Sequence, residues 1–233
     1  MKFKIAEKIF EKYPELEVGV VICNGLDNSK KIEEINNLLK DIEKEIKEKI
    51  DSEKILEIPA INKWRDVYKS FGAKPKNHKC SSEALLISVF SRGIPSINSL
   101  VDIYNYLSLK YTLTVGGEDI SKIEGDLYLD FAKGDEEFFS IGSDENQSPK
   151  ENEVVYKDDK GVVCRRWNWR EADRTKLTEE TKEAVIIIEN LLSEEHDKFL
   201  QASNELKLLI EKYCGGKCNV EILNKNKQEV DLE

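Results

Sequence analysis

The sequence has few of the residues that build metal centres, disulfide frameworks or membrane spans. Its 233 residues include 2 histidines, 5 cysteines and 1 methionine. A zinc site needs three or four converging ligands, and the pair His78 and Cys80 has no second Cys/His pair at a suitable spacing. The odd number of cysteines favours reduced thiols, and no apolar run approaches the roughly 20 residues that span a bilayer. These absences predict a soluble, cytoplasmic protein that holds no metal and contacts no membrane.

The sequence also lacks a positive charge balance. Acidic residues outnumber basic ones, 46 to 36, and the formal net charge is -10. No DNA partner is therefore expected, and any contact with a polyanion must come from a local basic patch. The dense cationic stretch is 164–175, where arginines alternate with Trp167 and Trp169. It suits either stacking on bases with pairing to phosphates or internal salt bridges around core tryptophans.

Hydrophobic periodicity and turn residues predict a chain of mixed helices and strands. Predicted strands are 15–23, 126–132, 137–142, 154–157, 162–165 and 220–223, and predicted helices are 32–46, 62–71, 85–92 and 199–213. The apolar run 184–188 fits a buried strand or a helix, and the polar tail after Asn224 is expected to fray. We expect one compact unit, with an N-terminal strand–helix element (1–58), a core (59–192) and a C-terminal helix with its tail (193–233).

Three polar side chains stand out in the apolar segment 93–111. Asn98, Asp102 and Asn105 follow each other at four- and three-residue spacing, so that on a helix they would share one face. Polar atoms on such a face need partners. Two interpretations stay open, because these atoms can bond the backbone of a neighbouring loop or a bound ligand.

Several short segments, in order along the chain, resemble a known domain family. They are 95–105, 116–119, 126–129, 152–156 and 165–167. Together they are similar to the B3/B4 domain, the editing and tRNA-associated domain of the phenylalanyl-tRNA synthetase β subunit, here in what looks like a freestanding form. The resemblance covers roughly residues 60–192. It implies an α/β (α+β) domain, the B3/B4 fold, with a central mixed or antiparallel β-sheet and flanking helices.

The resemblance also implies a function and a set of site residues. In the synthetase this domain hydrolyses the ester of tRNA charged with the wrong amino acid, without a metal or other cofactor. Such a second, hydrolytic sieve is needed where a binding pocket discriminates poorly between similar side chains. The expected partners are an amino acid and the 3′ end of tRNA or aminoacyl-tRNA.

By position, the amino acid would bind to Asn98, Asp102, Asn105, Gly116 and Gly117. The backbone amides of Gly116 and Gly117 could stabilise an oxyanion. The RNA would contact Arg165, Arg166, Trp167 and Arg170. A water aligned by the ribose hydroxyl would attack, with Glu171 or Asp119 as the orienting base, or with His78 if it enters from another loop.

The chain departs from the family pattern at one point that bears on the chemistry. Bacterial domains carry a histidine before the aspartate that aligns with Asp119, and Gly116 or Gly117 is expected in its place. No class II synthetase motif or ATP site is found, so the chain should not charge tRNA. Two other functions stay open: a noncatalytic module that binds an amino acid or RNA, and a hydrolase of small esters or amides.

Overall fold

The computed structural model describes residues 1–232 of the chain. The α-helices are α1 (Glu7–Lys12), α2 (Glu33–Lys49), α3 (Pro59–Ser70), α4 (Ser81–Ser91), α5 (Ser99–Tyr111) and α6 (His196–Cys214). The strands are β1 (Lys2–Ile5), β2 (Glu17–Asn24), β3 (Thr114–Asp119), β4 (Leu127–Phe131), β5 (Val154–Lys157), β6 (Val162–Arg165), β7 (Arg170–Glu171), β8 (Glu183–Asn190), β9 (Lys217–Leu223) and β10 (Glu229–Asp231). Within residues 1–232, no helix is long and apolar enough to cross a membrane.

The strands form two sheets. The larger sheet has the order β10-β1-β4-β5-β6-β7, in which β1 and β4 are parallel and the other neighbours antiparallel. The smaller sheet is antiparallel throughout and has the order β3-β8-β2-β9. The predicted class, α/β with a mixed or antiparallel sheet and flanking helices, is confirmed. The strands are divided between two sheets, however, where a single central sheet was expected.

The smaller sheet is covered on both faces, and its central strands show why. On β2, Val20 and Ile22 belong to the hydrophobic cluster between the sheets, whereas Val21 and Cys23 belong to the cluster under α5 and α6. Strand β8 alternates in the same way. A strand that is buried on both faces reads as a continuous apolar run, which is why the run 184–188 forms a strand rather than a helix.

Two predictions about local structure are wrong. Residues 137–142, predicted as a strand, form only the single bridge from Ser140 to Ala172. The segment turns so that Phe138 is buried, and the Phe138 N–H donates to the side-chain oxygen of Asn146. The tail after Asn224 is not frayed. It returns as β10 beside β1, where Leu232 is buried.

Helix α6 lies very close to β2 at Gly19. A Cβ atom on Gly19 would lie 2.6 Å from the Ser203 hydroxyl and 3.3 Å from the Phe199 ring, both on α6. Glycine at this position therefore sets the distance between the helix and the sheet.

We predict that Gly19→Ala lowers the free energy of unfolding by about 1–3 kcal/mol, because an added methyl group overpacks this contact. The measurement is denaturant unfolding. Ser203→Ala is the control, since it removes the atom that the new methyl group would meet first. The double variant should regain part of the loss; additive losses would contradict the close approach of α6.

Candidate functional site

A cavity of about 20 Å³ lies between the two sheets, where β3 and β8 face β5, β6 and β7. A space of this size can hold a water molecule, which needs roughly 10–15 Å³. The cavity is lined by Gly116, Gly117, Glu118, Tyr156, Cys164, Trp167, Asn168, Glu171, Ile187 and Glu189. Four residues predicted from the sequence, Gly116, Gly117, Trp167 and Glu171, therefore meet at one place.

Two glycines let β3 approach its neighbours on both faces. A Cβ atom on Gly116 would lie 3.0 Å from Oε1 of Glu171, on the cavity side. One on Gly117 would collide with the Ile186 side chain on the opposite face. Because side chains alternate along a strand, Glu118 shares the cavity face with Gly116. Glu118, rather than either glycine, directly precedes Asp119.

Two carboxyl groups face each other in the cavity. Glu118 is 3% exposed, and Glu171 is half-buried on β7. In each of them Oε2 is enclosed and has no hydrogen-bond partner among residues 1–232. The two groups are within hydrogen-bonding reach of each other. Burial, followed by the negative charge of Glu171, raises the pKa of Glu118 well above its ordinary value, and burial also raises the pKa of Glu171.

A third carboxyl group, that of Glu189, accepts hydrogen bonds from four side chains. Tyr156 Oη and Trp167 Nε1 donate to its Oε1 over 2.6 and 2.5 Å. Asn168 Nδ2 and Thr114 Oγ1 donate to its Oε2 over 2.6 and 3.0 Å. Burial raises the pKa of Glu189, and these hydrogen bonds act in the opposite direction. Glu189 thus joins the two sheets, and its bonding capacity is used within the protein.

Arg165 and Trp167 of the cationic stretch lie inside the protein. Arg165 Nε and Nη2 donate to the Glu153 carboxylate over 2.8 and 3.0 Å. Trp167 is fully buried between the rings of Tyr13 and Trp64, at centroid distances of 5.0 and 5.1 Å. An internal salt bridge and a core tryptophan therefore account for this half of the stretch.

The other half forms a cationic surface around a tryptophan. The guanidinium carbons of Arg166 and Arg170 lie 4.3 and 4.4 Å from the centre of the Trp169 ring, and the His78 ring contacts its edge at 4.7 Å. We call these four residues the Trp169 cluster. Within residues 1–232, Arg166 Nη1 and His78 Nδ1 are enclosed without a hydrogen-bond partner, while Arg166 Nε lies 3.7 Å from the Glu153 carboxylate. Burial lowers the pKa of His78, and the neighbouring Arg166 charge adds to this effect.

A left-handed turn connects the cavity to the Trp169 cluster. Arg166 and Trp167 have φ angles of 48° and 67°, and the Trp167 N–H donates to the Val154 carbonyl over 2.6 Å. The turn directs Asn168 into the cavity. It therefore places the surface tryptophan and the cavity carboxylate Glu171 only a few residues apart.

The polar residues of α5 lie away from the cavity lining and hold loops. Asn98 caps the helix, since its Oδ1 accepts from the Val101 N–H over 3.1 Å and from Asn28 Nδ2 over 3.0 Å. Asp102 accepts from the Ile97 N–H over 2.8 Å. These bonds match the structural interpretation of the polar face, in which buried amides and carboxylates satisfy neighbouring backbone.

Two further predicted residues lie outside the cavity lining. Asn105 is half-buried on α5. Asp119 is buried, and its carboxylate accepts hydrogen bonds from both the N–H and the hydroxyl of Ser121 and from the Thr181 hydroxyl. Asp119 therefore caps the turn that follows β3.

Glu118 and Glu189 were not among the site residues predicted from the sequence. A signal existed for Glu118, because placing 114–119 on a strand would have put it on the same face as Gly116. For Glu189 no signal existed, since an acid at the end of an apolar strand is typical of an exposed edge. Among residues 1–232, no group of three or more His, Cys, Asp or Glu side chains could hold a metal ion.

We predict that Glu189→Ala lowers the free energy of unfolding by about 3–5 kcal/mol, because it leaves several buried donors unpaired. Chemical denaturation followed by tryptophan fluorescence measures this loss. The matched control is Glu183→Ala at the exposed start of the same strand, which should change stability by no more than about 0.5 kcal/mol. Equal effects of the two substitutions would contradict the role of Glu189.

A domain-family model matches this chain, and a solved structure is similar to it. No curated protein matches the chain. A crystal structure of an N-terminal fragment of the phenylalanyl-tRNA synthetase β subunit from Pyrococcus horikoshii is similar at a TM-score of 0.47 and 13% identity, over 93% of this chain and 49% of that one. The chain thus spans about half the length of that fragment. The family model of the B3/4 domain matches residues 63–215, well over half of the chain. The resemblance found in the sequence is confirmed: the chain belongs to the B3/4 domain family.

Proposed function

We propose that this protein hydrolyses mischarged aminoacyl-tRNA in trans. One observation carries the proposal: a single turn joins a cavity that contains the Glu171 carboxylate, whose Oε2 atom accepts no hydrogen bond within residues 1–232, to a cationic tryptophan surface, the Trp169 cluster. Ester hydrolysis on an RNA end needs both a base near water and a surface for phosphates and bases. Membership of the B3/4 family supports the same assignment.

Glu171 is the proposed general base. Its carboxylate lies against Gly116 in a cavity that can hold a water molecule. Strand β3 pairs only with β8 in the smaller sheet, so backbone groups on its free edge have no strand partner. The N–H groups of neighbouring residues point to opposite edges of an antiparallel strand, and Asp119, two residues after Gly117, donates its N–H to the Thr175 carbonyl instead of to β8. We therefore assign the Gly117 amide, on the free edge, the role of stabilising the oxyanion that forms when water attacks the ester.

The Trp169 cluster is the proposed site for the tRNA 3′ end. Arg170 is exposed beside the Trp169 ring, and a guanidinium can pair with phosphate while the indole stacks on a base. Arg166 Nη1 and His78 Nδ1 are enclosed, and Arg166 Nε lies 3.7 Å from the Glu153 carboxylate, so Arg170 is the cation of the cluster that a phosphate can reach directly. The overall charge of -10 makes such a local site necessary.

A second function, noncatalytic binding of RNA or an amino acid, is favoured by the size of the cavity. A volume of about 20 Å³ holds water but no amino-acid side chain. Catalysis therefore requires the cavity to widen on substrate binding, whereas RNA binding by the Trp169 cluster does not.

A deacylation assay on a panel of mischarged tRNAs separates the two functions. We expect hydrolysis above the buffer rate for at least one pair, and a decrease of about 10²–10⁴-fold in Glu171→Gln, which keeps the shape but loses the base. Glu183→Gln serves as the exposed control. Measurable RNA binding without hydrolysis of any pair would assign the noncatalytic function.

RNA binding is tested separately with Arg170→Ala. We expect weaker tRNA binding and a reduction of about 1 in the slope of log affinity against log salt, because one phosphate contact is lost. Lys212→Ala is a matched control, since Lys212 lies 4.4 Å over the Tyr213 ring on α6. An unchanged salt slope in Arg170→Ala would exclude the Trp169 cluster as the RNA site.

A further inference from the structure

The cavity holds two facing carboxyl groups where one base would suffice. Glu118 reaches it from the smaller sheet and Glu171 from the larger one. Among residues 1–232, neither enclosed Oε2 atom accepts a hydrogen bond, although the Cys164 thiol lies near Glu171 and the Thr175 hydroxyl near Glu118. A buried oxygen without a donor is costly, and the two groups can satisfy each other only if one carries a proton.

The surroundings of the pair favour a single retained proton. The titratable and charged groups that bear on it are Tyr104 of α5, Tyr156 of β5, Cys164 of β6, Glu189 of β8 and Arg174 after β7. Arg174 is the cation among these groups, and its Nη1 is bonded to Asp158 over 2.8 Å. Two carboxyl groups this close in a buried site do not both ionise readily, because their negative charges repel each other.

The hydrogen bonds indicate which carboxyl group is protonated. Glu171 is within reach of two donors, the carboxyl of Glu118 and the thiol of Cys164, and both favour its ionised form. Glu118 is almost fully buried and faces the Glu171 charge, and these two effects, which favour its neutral form, outweigh the opposing effects of the Thr175 hydroxyl and of Arg174. The resting pair is therefore protonated Glu118 beside the Glu171 carboxylate.

We propose that Glu118 and Glu171 act as an acid–base pair that shares one proton during ester hydrolysis; this inference rests on the proposed function. Glu171 takes a proton from water as the water oxygen bonds to the ester carbonyl carbon. The bond from that carbon to the ribose oxygen then breaks, and the ribose oxygen takes the proton of Glu118. The products are the free amino acid and a tRNA with a free hydroxyl. The proton on Glu171 returns to Glu118 across their hydrogen bond.

The first test is the pH profile of deacylation. Because only the singly protonated pair is active, the wild-type protein should show a bell-shaped profile of kcat/KM whose limbs belong to the pair. Glu118→Gln keeps the hydrogen-bond donor but has no proton to give. It should lower kcat/KM by about 10²–10⁴-fold and lose the falling limb at high pH. Glu118→Asp should restore that limb, and Glu183→Gln should retain the wild-type profile.

The second test needs no activity. Glu118 in the unfolded chain titrates near its ordinary pKa of 4.5, and its pKa in the folded protein is higher. The stabilisation from the bound proton is complete below pH 4.5 and is lost as the pH rises through the folded pKa. From acid to alkaline pH, the free energy of unfolding of the wild-type protein should fall with a slope that corresponds to about one bound proton. Glu118→Gln should remove this slope.

The two tests separate the failure of this inference from that of the proposed function. An active wild-type protein whose pH profile is unchanged in Glu118→Gln overturns the acid–base pair alone. Equal pH dependence of unfolding in the wild type and Glu118→Gln overturns the shared proton. If no mischarged tRNA is hydrolysed, the proposed function and the catalytic step are both overturned, and the unfolding data alone then decide whether the pair shares a proton.

Discussion

The buried carboxylate of Glu189 is the interaction on which the arrangement of the two sheets depends. It lies on β8 of the smaller sheet and accepts from Tyr156 of the larger sheet, while Trp167 and Asn168 donate to it from the turn after β6. A buried charge without such partners is strongly destabilising. The two sheets and the turn must therefore close around it together, and one side chain limits the width of the cavity between them.

The same carboxylate holds a turn that would otherwise be unfavourable. Arg166 and Trp167 adopt left-handed backbone conformations, which cost on the order of 1–3 kcal/mol each in residues other than glycine. The bonds of Trp167 and Asn168 to Glu189 and the burial of the Trp167 ring offset this strain. Because the turn is fixed, Trp169 faces the surface and Glu171 faces the cavity, so the proposed RNA site adjoins the proposed general base.

Much of the fold was predictable because its signals are local. The apolar spacing of α2 and α6 predicted both helices, and the turn at 158–161 predicted the hairpin between β5 and β6. Strands β1, β3 and β10 escaped prediction because each is short and polar or glycine-rich, and forms only through pairing with distant residues. The site was half predictable: Gly116, Gly117 and Glu171 follow from the family resemblance, whereas Glu118 and Glu189 do not.

The sequence by itself determined the mixed α/β class, the family and the local charge reversal at 164–175, since periodicity, ordered motifs and composition are properties of neighbouring residues. Only the tertiary structure decided how that charge is divided. Arg165 pairs with Glu153 inside the protein, and Arg170 remains at the surface beside Trp169. It also decided that Glu118 and Glu171, 53 positions apart, share one cavity. Burial and long-range contact set the chemistry of such groups, and neither can be read from residue spacing.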